Sequence, residues 1–184
     1  MNRVSIIGTG PAGLTAAIYT ARAGLKPVVY AGLQHGGQLT TTTDVENFPG
    51  FIEGIMGPKL MSDMTAQAER VGATIKYETV VKTDFSGKVH KFWTDASDEA
   101  IESETIIIST GATAKTLGLT GEKELMGRGL STCATCDGFF YKGKEVIVTG
   151  GGDSAMEEAL YLANLCKKVF LVHRRDVFRA SKIM

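Results

Sequence analysis

Two cysteines separated by two residues, Cys133 and Cys136, are the residues whose types and spacing most directly suggest chemistry. Such a pair carries electrons as a reversible disulfide or supplies part of a zinc site. A structural zinc site needs four ligands, and the sequence contains no second C-x-x-C and no H-x-x-x-H. We therefore predict a redox pair and no metal site. The pair is expected to open a helix whose dipole favours the thiolate, and Asp137 can donate or accept a proton when a thiolate leaves or forms.

The first element that could position a cofactor for this pair is a β-α-β unit at the start of the chain. A strand at residues 4–7 runs into a G-x-G-x-x-G turn at residues 8–13, and a helical pattern and a strand at 26–30 follow. The first glycine permits the tight turn, the second lets backbone N–H groups approach a pyrophosphate, and the third lets helix and strand pack closely. The acidic residue that usually binds a ribose is missing, because Tyr30-Ala31-Gly32 occupies its position. The candidate phosphate-binding residues are Gly8, Gly10, Pro11, Ala12 and Gly13.

A second unit of the same kind begins after the cysteines. A strand at residues 145–149, a glycine turn at 150–155, a helical pattern at 156–165 and a strand at 168–172 succeed one another. Where an NAD-binding protein would carry an acid, this unit carries His173-Arg174-Arg175, with Arg179 close behind. Guanidinium groups suit a 2′-phosphate, which predicts NADPH over NADH. The candidate residues are Gly150, Gly152, Asp153, Ser154, Ala155, His173, Arg174, Arg175 and Arg179.

The segment between the two units completes the first domain. Residues 36–50 read as a long loop, residues 58–72 as an amphipathic helix, and residues 75–81, 89–94 and 101–109 as strands. We expect an α/β protein with two Rossmann-like dinucleotide-binding domains, at residues 1–114 and 115–184.

Composition excludes several classes of function. Of 184 residues 43% are hydrophobic, and 20 Lys and Arg balance 20 Asp and Glu, which leaves no global field for nucleic acid or an anionic membrane. The first apolar run is too short for a signal peptide or a membrane span, so a cytoplasmic location is expected.

Several motifs together resemble the bacterial-type (low-molecular-weight) thioredoxin reductases over the whole chain. They occur in the family's order and comprise Gly8-Thr9-Gly10-Pro11-Ala12-Gly13, Gly36-Gly37-Gln38-Leu39-Thr40, Glu46-Asn47-Phe48-Pro49-Gly50, Cys133-Ala134-Thr135-Cys136-Asp137-Gly138 and His173-Arg174-Arg175 through Phe178-Arg179-Ala180. The resemblance implies FAD on the first glycine turn and NADPH on the second. Further FAD contacts that it implies are Ala31, Gly32, Gly36, Gly37, Gln38, Asn47, Thr110, Gly111 and Ala112.

The resemblance also implies roles and partners. Cys133 would attack thioredoxin or a thioredoxin-like protein, Cys136 would face the flavin, and Asp137 would be the acid, with one domain rotating against the other in a homodimer. Family members continue past residue 184, so both domains are expected to be incomplete in this chain. Two other functions remain open at this point: a non-catalytic nucleotide-binding remnant, and a related reductase of a peroxide-reducing or glutaredoxin-like partner.

Overall fold

The computed structural model describes all residues from Met1 to Met184. The chain forms two compact units, Met1–Ala112 and Thr113–Met184, and the division lies two residues before the boundary expected from the sequence. No helix combines the length and the apolar character that crossing a membrane requires.

The first unit is built around a six-stranded sheet. Its elements are β1 (Asn2–Ile7), α1 (Pro11–Arg22), β2 (Val28–Tyr30), β3 (Asp44–Val45), β4 (Ile55–Met56), α2 (Gly57–Arg70), β5 (Thr74–Lys76), β6 (Val80–Asp84), β7 (His90–Thr94) and β8 (Ser97–Ile108). The strand order is β5-β2-β1-β8-β7-β6. The pairs from β5 to β8 are parallel, and β8-β7 and β7-β6 are antiparallel. This is the Rossmann-type α/β arrangement predicted from the sequence, with β3 and β4 as a short separate ladder.

Helix α1, which follows the first glycine turn, packs against β1 and α2 in the core of this unit. Leu14 and Ala17 on α1 are fully buried in one cluster with Ile6 of β1 and Leu60 of α2. Their helical spacing therefore marks the inner face of α1, as the sequence indicated. The helix ends at Arg22, and Gly24 follows with φ +75°, a conformation that favours glycine.

One expected strand is wrong. Residues 75–81 were predicted as one strand, but they belong to β5 and β6, which lie at opposite edges of the sheet. The alternation of larger side chains continues through residues 77–79, so a period of two cannot reveal that the neighbouring strand changes. A tertiary contact holds the change, because the Asp95 carboxylate accepts a hydrogen bond from the Thr79 N–H at 2.8 Å.

The second unit contains a single complete β-α-β element. Its elements are α3 (Glu122–Leu125), α4 (Ala134–Asp137), β9 (Glu145–Thr149), α5 (Asp153–Ala163) and β10 (Lys168–Val172). Strands β9 and β10 pair in parallel over all five residues, with the bounds that the sequence predicted. Val148, Ala155 and Leu162 are buried together with Ala134, so α4 packs on the β-α-β core.

A buried carboxylate organises the start of this unit. The Glu122 side chain accepts hydrogen bonds from the backbone N–H groups of Leu117 and Gly118, both at 2.7 Å, and of Leu119 at 3.1 Å. These donors, with that of Leu117 first, hold the pKa of Glu122 below its ordinary value of 4.5. The charged form is therefore the one that fixes the segment.

Replacing Glu122 by glutamine is expected to destabilise the second unit at neutral pH and to have little effect in acid. The folded-state pKa is lowered, so the carboxylate stabilises the fold above its ordinary pKa, and that stability is lost as the pH falls through the folded value. Urea unfolding of both proteins at about pH 7 and about pH 3 measures this difference. An equal gap at both pH values would contradict it. Glu124→Gln, on the same short helix, is the matched control.

Candidate active site

The first glycine turn is closed at two of its three glycines. A Cβ on Gly8, whose φ is +111°, would lie 2.3 Å from the carbonyl oxygen of Ser109. A Cβ on Gly13 would lie 2.0 Å from the carbonyl oxygen of Gly8 and 2.7 Å from Ser109 Oγ. Both are shorter than real Cβ contacts, so only glycine lets β1, α1 and the end of β8 meet here.

The second glycine of this turn, Gly10, is open. No heavy atom lies within 4 Å of a Cβ built on Gly10, and no side chain caps the helix that begins at Pro11. The N–H groups of the first helical turn therefore keep their capacity to bind an anion. Closed first and third glycines with an open second one form a cradle that fits a pyrophosphate.

A buried hydroxyl holds the following loop against this cradle. Thr9 Oγ1 donates to the carbonyl of Ala31 at 3.3 Å and accepts from the Gly36 N–H at 3.0 Å. A Cβ on Gly37 would lie 3.2 Å from Gly10 Cα, so the loop passes very close to the open glycine. Thr9 was not among the sequence candidates, although it is an interior residue of the glycine motif.

The other candidate FAD residues divide into two groups. Gln38 Nε2 donates to the carbonyl of Ala112, which brings the Thr110–Ala112 turn to the same loop. Gly32 follows Ala31 in a left-handed conformation, with φ +73°, which favours glycine. By contrast, Asn47 is exposed in the turn between β3 and β4, and no hydrogen bond ties it to the cradle.

Tyr30 is the last residue of β2, where many dinucleotide-binding proteins carry an acidic residue that binds the ribose. Its side chain is buried, its ring packs edge-on against Phe92 with centroids 4.9 Å apart, and its hydroxyl accepts from Asn2 Nδ2 at 3.2 Å. Burial raises the pKa of this phenol above 10.0, with the Asn2 hydrogen bond opposing the shift. Tyr30 is therefore a core residue, and its hydroxyl is engaged by Asn2.

The second glycine turn repeats the pattern of closed and open positions. A Cβ on Gly150 would lie 2.8 Å from that of Ala155, whereas nothing lies within 4 Å of one built on Gly152. Gly151 is covered by the His173 ring, whose atoms would lie 2.4 Å from its Cβ. Helix α5 begins at Asp153 with no side-chain cap, so its first N–H groups are available to a phosphate as well.

The arginine segment after β10 folds back onto this turn. The N–H groups of Arg179 and Ala180 donate to the carbonyl of Gly151 at 2.7 and 3.1 Å. The Ser181 N–H donates to Asp153 Oδ1 at 2.6 Å, so the Asp153 carboxylate secures the segment.

The three arginines themselves are free to bind an anion. Arg174, Arg175 and Arg179 are exposed, and none forms a salt bridge. Their unneutralised charge beside an open helix start fits the 2′-phosphate and pyrophosphate of NADPH.

The cysteine pair forms a disulfide at the start of a single helical turn. Cys133 and Cys136 are bonded, with Cα atoms 5.3 Å apart. Cys133 is the N-cap of α4, and its sulfur accepts from the Cys136 N–H at 3.2 Å. The pair thus opens a helix, as expected from the sequence. Cys136 is exposed and Cys133 is half-buried, so thiol–disulfide exchange can reach the bond from solvent.

Two carboxylates and two hydroxyls surround this turn, and one of the hydroxyls, Thr135 Oγ1, lies 3.5 Å from Cys133 Sγ. Asp137 is half-buried and accepts a hydrogen bond from Ser131 Oγ, while Ser131 Oγ accepts from the Cys133 N–H at 3.1 Å. Glu158 on α5 accepts from the Ala134 N–H at 3.4 Å. Neither Ser131 nor Glu158 was a sequence candidate. The S-x-C spacing, a serine that bonds a backbone N–H two residues on, is the signal that could have identified Ser131.

Comparison with known proteins agrees with this geometry. A family model described as pyridine nucleotide-disulphide oxidoreductase matches residues 2–183. The thioredoxin reductase of Rickettsia conorii is 58% identical over 182 residues, which cover 99% of this chain and 58% of that protein. The thioredoxin reductase of Streptomyces coelicolor is 54% identical over 185 residues, with 100% of this chain and 57% of that protein covered.

A solved structure extends the similarity to three dimensions. The thioredoxin reductase from Giardia duodenalis matches 98% of this chain and 58% of its own, with a TM-score of 0.88 and 50% sequence identity. The chain therefore spans less than two thirds of the length of these relatives.

Proposed function

Because the chain belongs to the pyridine nucleotide-disulphide oxidoreductase family, we propose that the protein uses NADPH to reduce the disulfide of thioredoxin or a thioredoxin-like protein. The observation that carries this proposal is the Cys133–Cys136 disulfide on a helical turn, packed on a β-α-β unit with free arginines. Two relatives that match almost the whole chain are named thioredoxin reductase.

The two glycine turns would hold the cofactors. When bound, NADPH supplies a hydride and FAD relays its two electrons to the disulfide. The cradle at Gly10 and the loop from Ala31 to Gln38 would hold FAD, with the Thr110–Ala112 turn beside them. The start of α5 and the arginine segment would hold NADPH. Asn47 stays in this proposal on the strength of the resemblance alone.

The disulfide then does the chemistry of this chain. Two electrons and two protons convert Cys133–Cys136 to a dithiol. A thiolate of Cys133 would attack the partner's disulfide, forming a mixed disulfide as the partner's S–S bond breaks. Cys136 would attack Cys133 Sγ, which restores the original bond and releases the partner as a dithiol. Asp137 would carry protons to and from these sulfurs.

Location and assembly belong to the same proposal. The partner leaves as a dithiol and must stay reduced to be useful, which suits the cytoplasm, where disulfides are rare. A homodimer is proposed on the resemblance to the family.

The test is consumption of NADPH by the purified protein with added FAD. We expect the NADPH absorbance to fall when oxidised thioredoxin is supplied and to stay constant without a disulfide substrate. A glutaredoxin-like protein and a peroxide-reducing protein serve as alternative substrates in parallel reactions. Turnover with neither thioredoxin nor a thioredoxin-like protein would overturn the proposal.

Replacing Arg174 and Arg175 together by glutamine is expected to weaken NADPH binding by roughly 10- to 100-fold, because two charge-assisted contacts to the 2′-phosphate are lost. NADH has no 2′-phosphate, so its affinity should be unchanged. Nucleotide fluorescence gives both dissociation constants without any turnover. Arg128→Gln, another exposed arginine of the second unit, is the matched control. Equal weakening of NADH and NADPH would refute the assignment.

A further inference from the structure

Ser131 lies two residues before the disulfide, and its hydroxyl makes three polar contacts. It accepts from the Cys133 N–H at 3.1 Å, and its oxygen lies 3.3 Å from the Cys133 carbonyl and within hydrogen-bond distance of Asp137 Oδ2. A hydroxyl has a single proton, and the contact to the carboxylate is the shorter of the two donating contacts. The proton therefore goes to Asp137.

This hydroxyl links the carboxylate to the backbone of a redox cysteine. The Asp137 N–H also donates to the Cys133 carbonyl at 3.1 Å, so both ends of Asp137 are tied to Cys133. Side chains held by such charge-assisted contacts lose rotamer freedom, and proton transfer requires a donor and acceptor at hydrogen-bond distance.

We propose that Ser131 is a positioning residue that holds the Asp137 carboxylate for proton transfer at the Cys133–Cys136 sulfurs. This inference rests on the proposed function, since it assigns Asp137 the proton. It adds a residue that the sequence motif does not contain, because Ser131 lies outside the segment from Cys133 to Gly138.

The step that Ser131 assists is thiol–disulfide exchange. The carboxylate of Asp137 takes the proton of the attacking cysteine thiol, whose sulfur then attacks a substrate disulfide. A bond to one substrate sulfur forms, the substrate S–S bond breaks, and the leaving thiolate takes the proton. The second cysteine attacks the mixed disulfide, so the two protons of the dithiol end on the two released thiols.

The test uses glutathione disulfide as the oxidant and needs neither NADPH nor flavin. The chain is reduced with dithiothreitol, desalted and mixed with glutathione disulfide, and the remaining thiols are alkylated with a maleimide and counted by mass spectrometry. Cys166, the one free cysteine, is replaced by serine in every variant so that only the pair is counted.

Ser131→Ala is expected to slow oxidation of the dithiol about tenfold. Thr132→Ala, which removes an adjacent exposed hydroxyl, should leave the rate unchanged. Ser131→Thr keeps the hydroxyl and should restore the rate, whereas Ser131→Val has the same shape without it and should be slow. The Thr and Val pair keeps the comparison valid if the alanine variant folds poorly.

A double-mutant cycle separates positioning from a merely structural effect. Asp137→Asn alone should slow exchange on the order of 100-fold, and adding Ser131→Ala should change that rate by less than about twofold. A full tenfold loss in the Asp137→Asn background, or equal rates for the Thr and Val variants, would overturn the proposal. Failure of thioredoxin reduction with NADPH while this cycle holds would instead overturn only the proposed function.

Discussion

Cys136→Ser is expected to lower NADPH-driven reduction of thioredoxin on the order of 1,000-fold or more. The two sulfurs act as one unit: without Cys136 the chain cannot store two electrons as a dithiol, and a mixed disulfide on Cys133 cannot be released from within. The Cys133–Cys136 bond is the only disulfide of the chain, so no other pair can take over. Initial rates of NADPH consumption with thioredoxin in excess measure the effect.

The third cysteine provides the control for this result. Cys166 lies after α5, half-buried, with its thiol 3.4 Å from the Tyr141 carbonyl. Cys166→Ser should keep the activity of the parent because serine can make the same hydrogen bond. If Cys136→Ser turned over thioredoxin as fast as Cys166→Ser, the electron route proposed here would be wrong.

The second large effect is expected at the first glycine turn, where two glycine-to-alanine variants should separate folding from binding. Gly13→Ala should lower the free energy of unfolding by about 3 kcal/mol, because its Cβ would overlap backbone atoms of the turn. Gly10→Ala should cost less than about 1 kcal/mol, since its Cβ has open space and its φ of −64° is ordinary for alanine.

Among folded molecules, we expect Gly10→Ala to weaken FAD binding more than Gly13→Ala does. The Cβ of Gly10→Ala would occupy the cradle, so FAD should bind at least about tenfold more weakly although the protein stays folded. Urea unfolding and quenching of flavin fluorescence measure the two quantities on the same samples. Normal FAD binding by Gly10→Ala would show that the cradle does not hold the pyrophosphate.

The parts of the fold that the sequence predicts well are those set by local constraints. The glycine turns follow from backbone approaches that only glycine allows, and β9 and β10 follow from apolar runs between turn signals. Residues 75–81 show where prediction from local sequence fails. Their alternation is uniform, and only the pairing of β5 with β2 and of β6 with β7 shows that the chain leaves one sheet edge for the other.

The candidate site shows the same division. The C-x-x-C spacing predicts the Cys133–Cys136 disulfide without any structure, and the role of the adjacent Asp137 stays a prediction. Glu158 could not be found, because its contact with Ala134 depends on how α5 packs beside α4. The contact of the His173 ring with Gly151 could not be found either, because it depends on the path of the chain after β10.

NADPH should open the Cys133–Cys136 disulfide of this chain directly. The protein is incubated without oxygen with FAD and NADPH, alkylated with a maleimide, and digested for mass spectrometry of the peptide that carries Cys133 and Cys136. We expect both sulfurs to be alkylated and one NADPH to be consumed per disulfide. A disulfide that remains intact with NADPH and FAD, yet is opened by dithiothreitol in the same buffer, would show that NADPH does not reduce this pair.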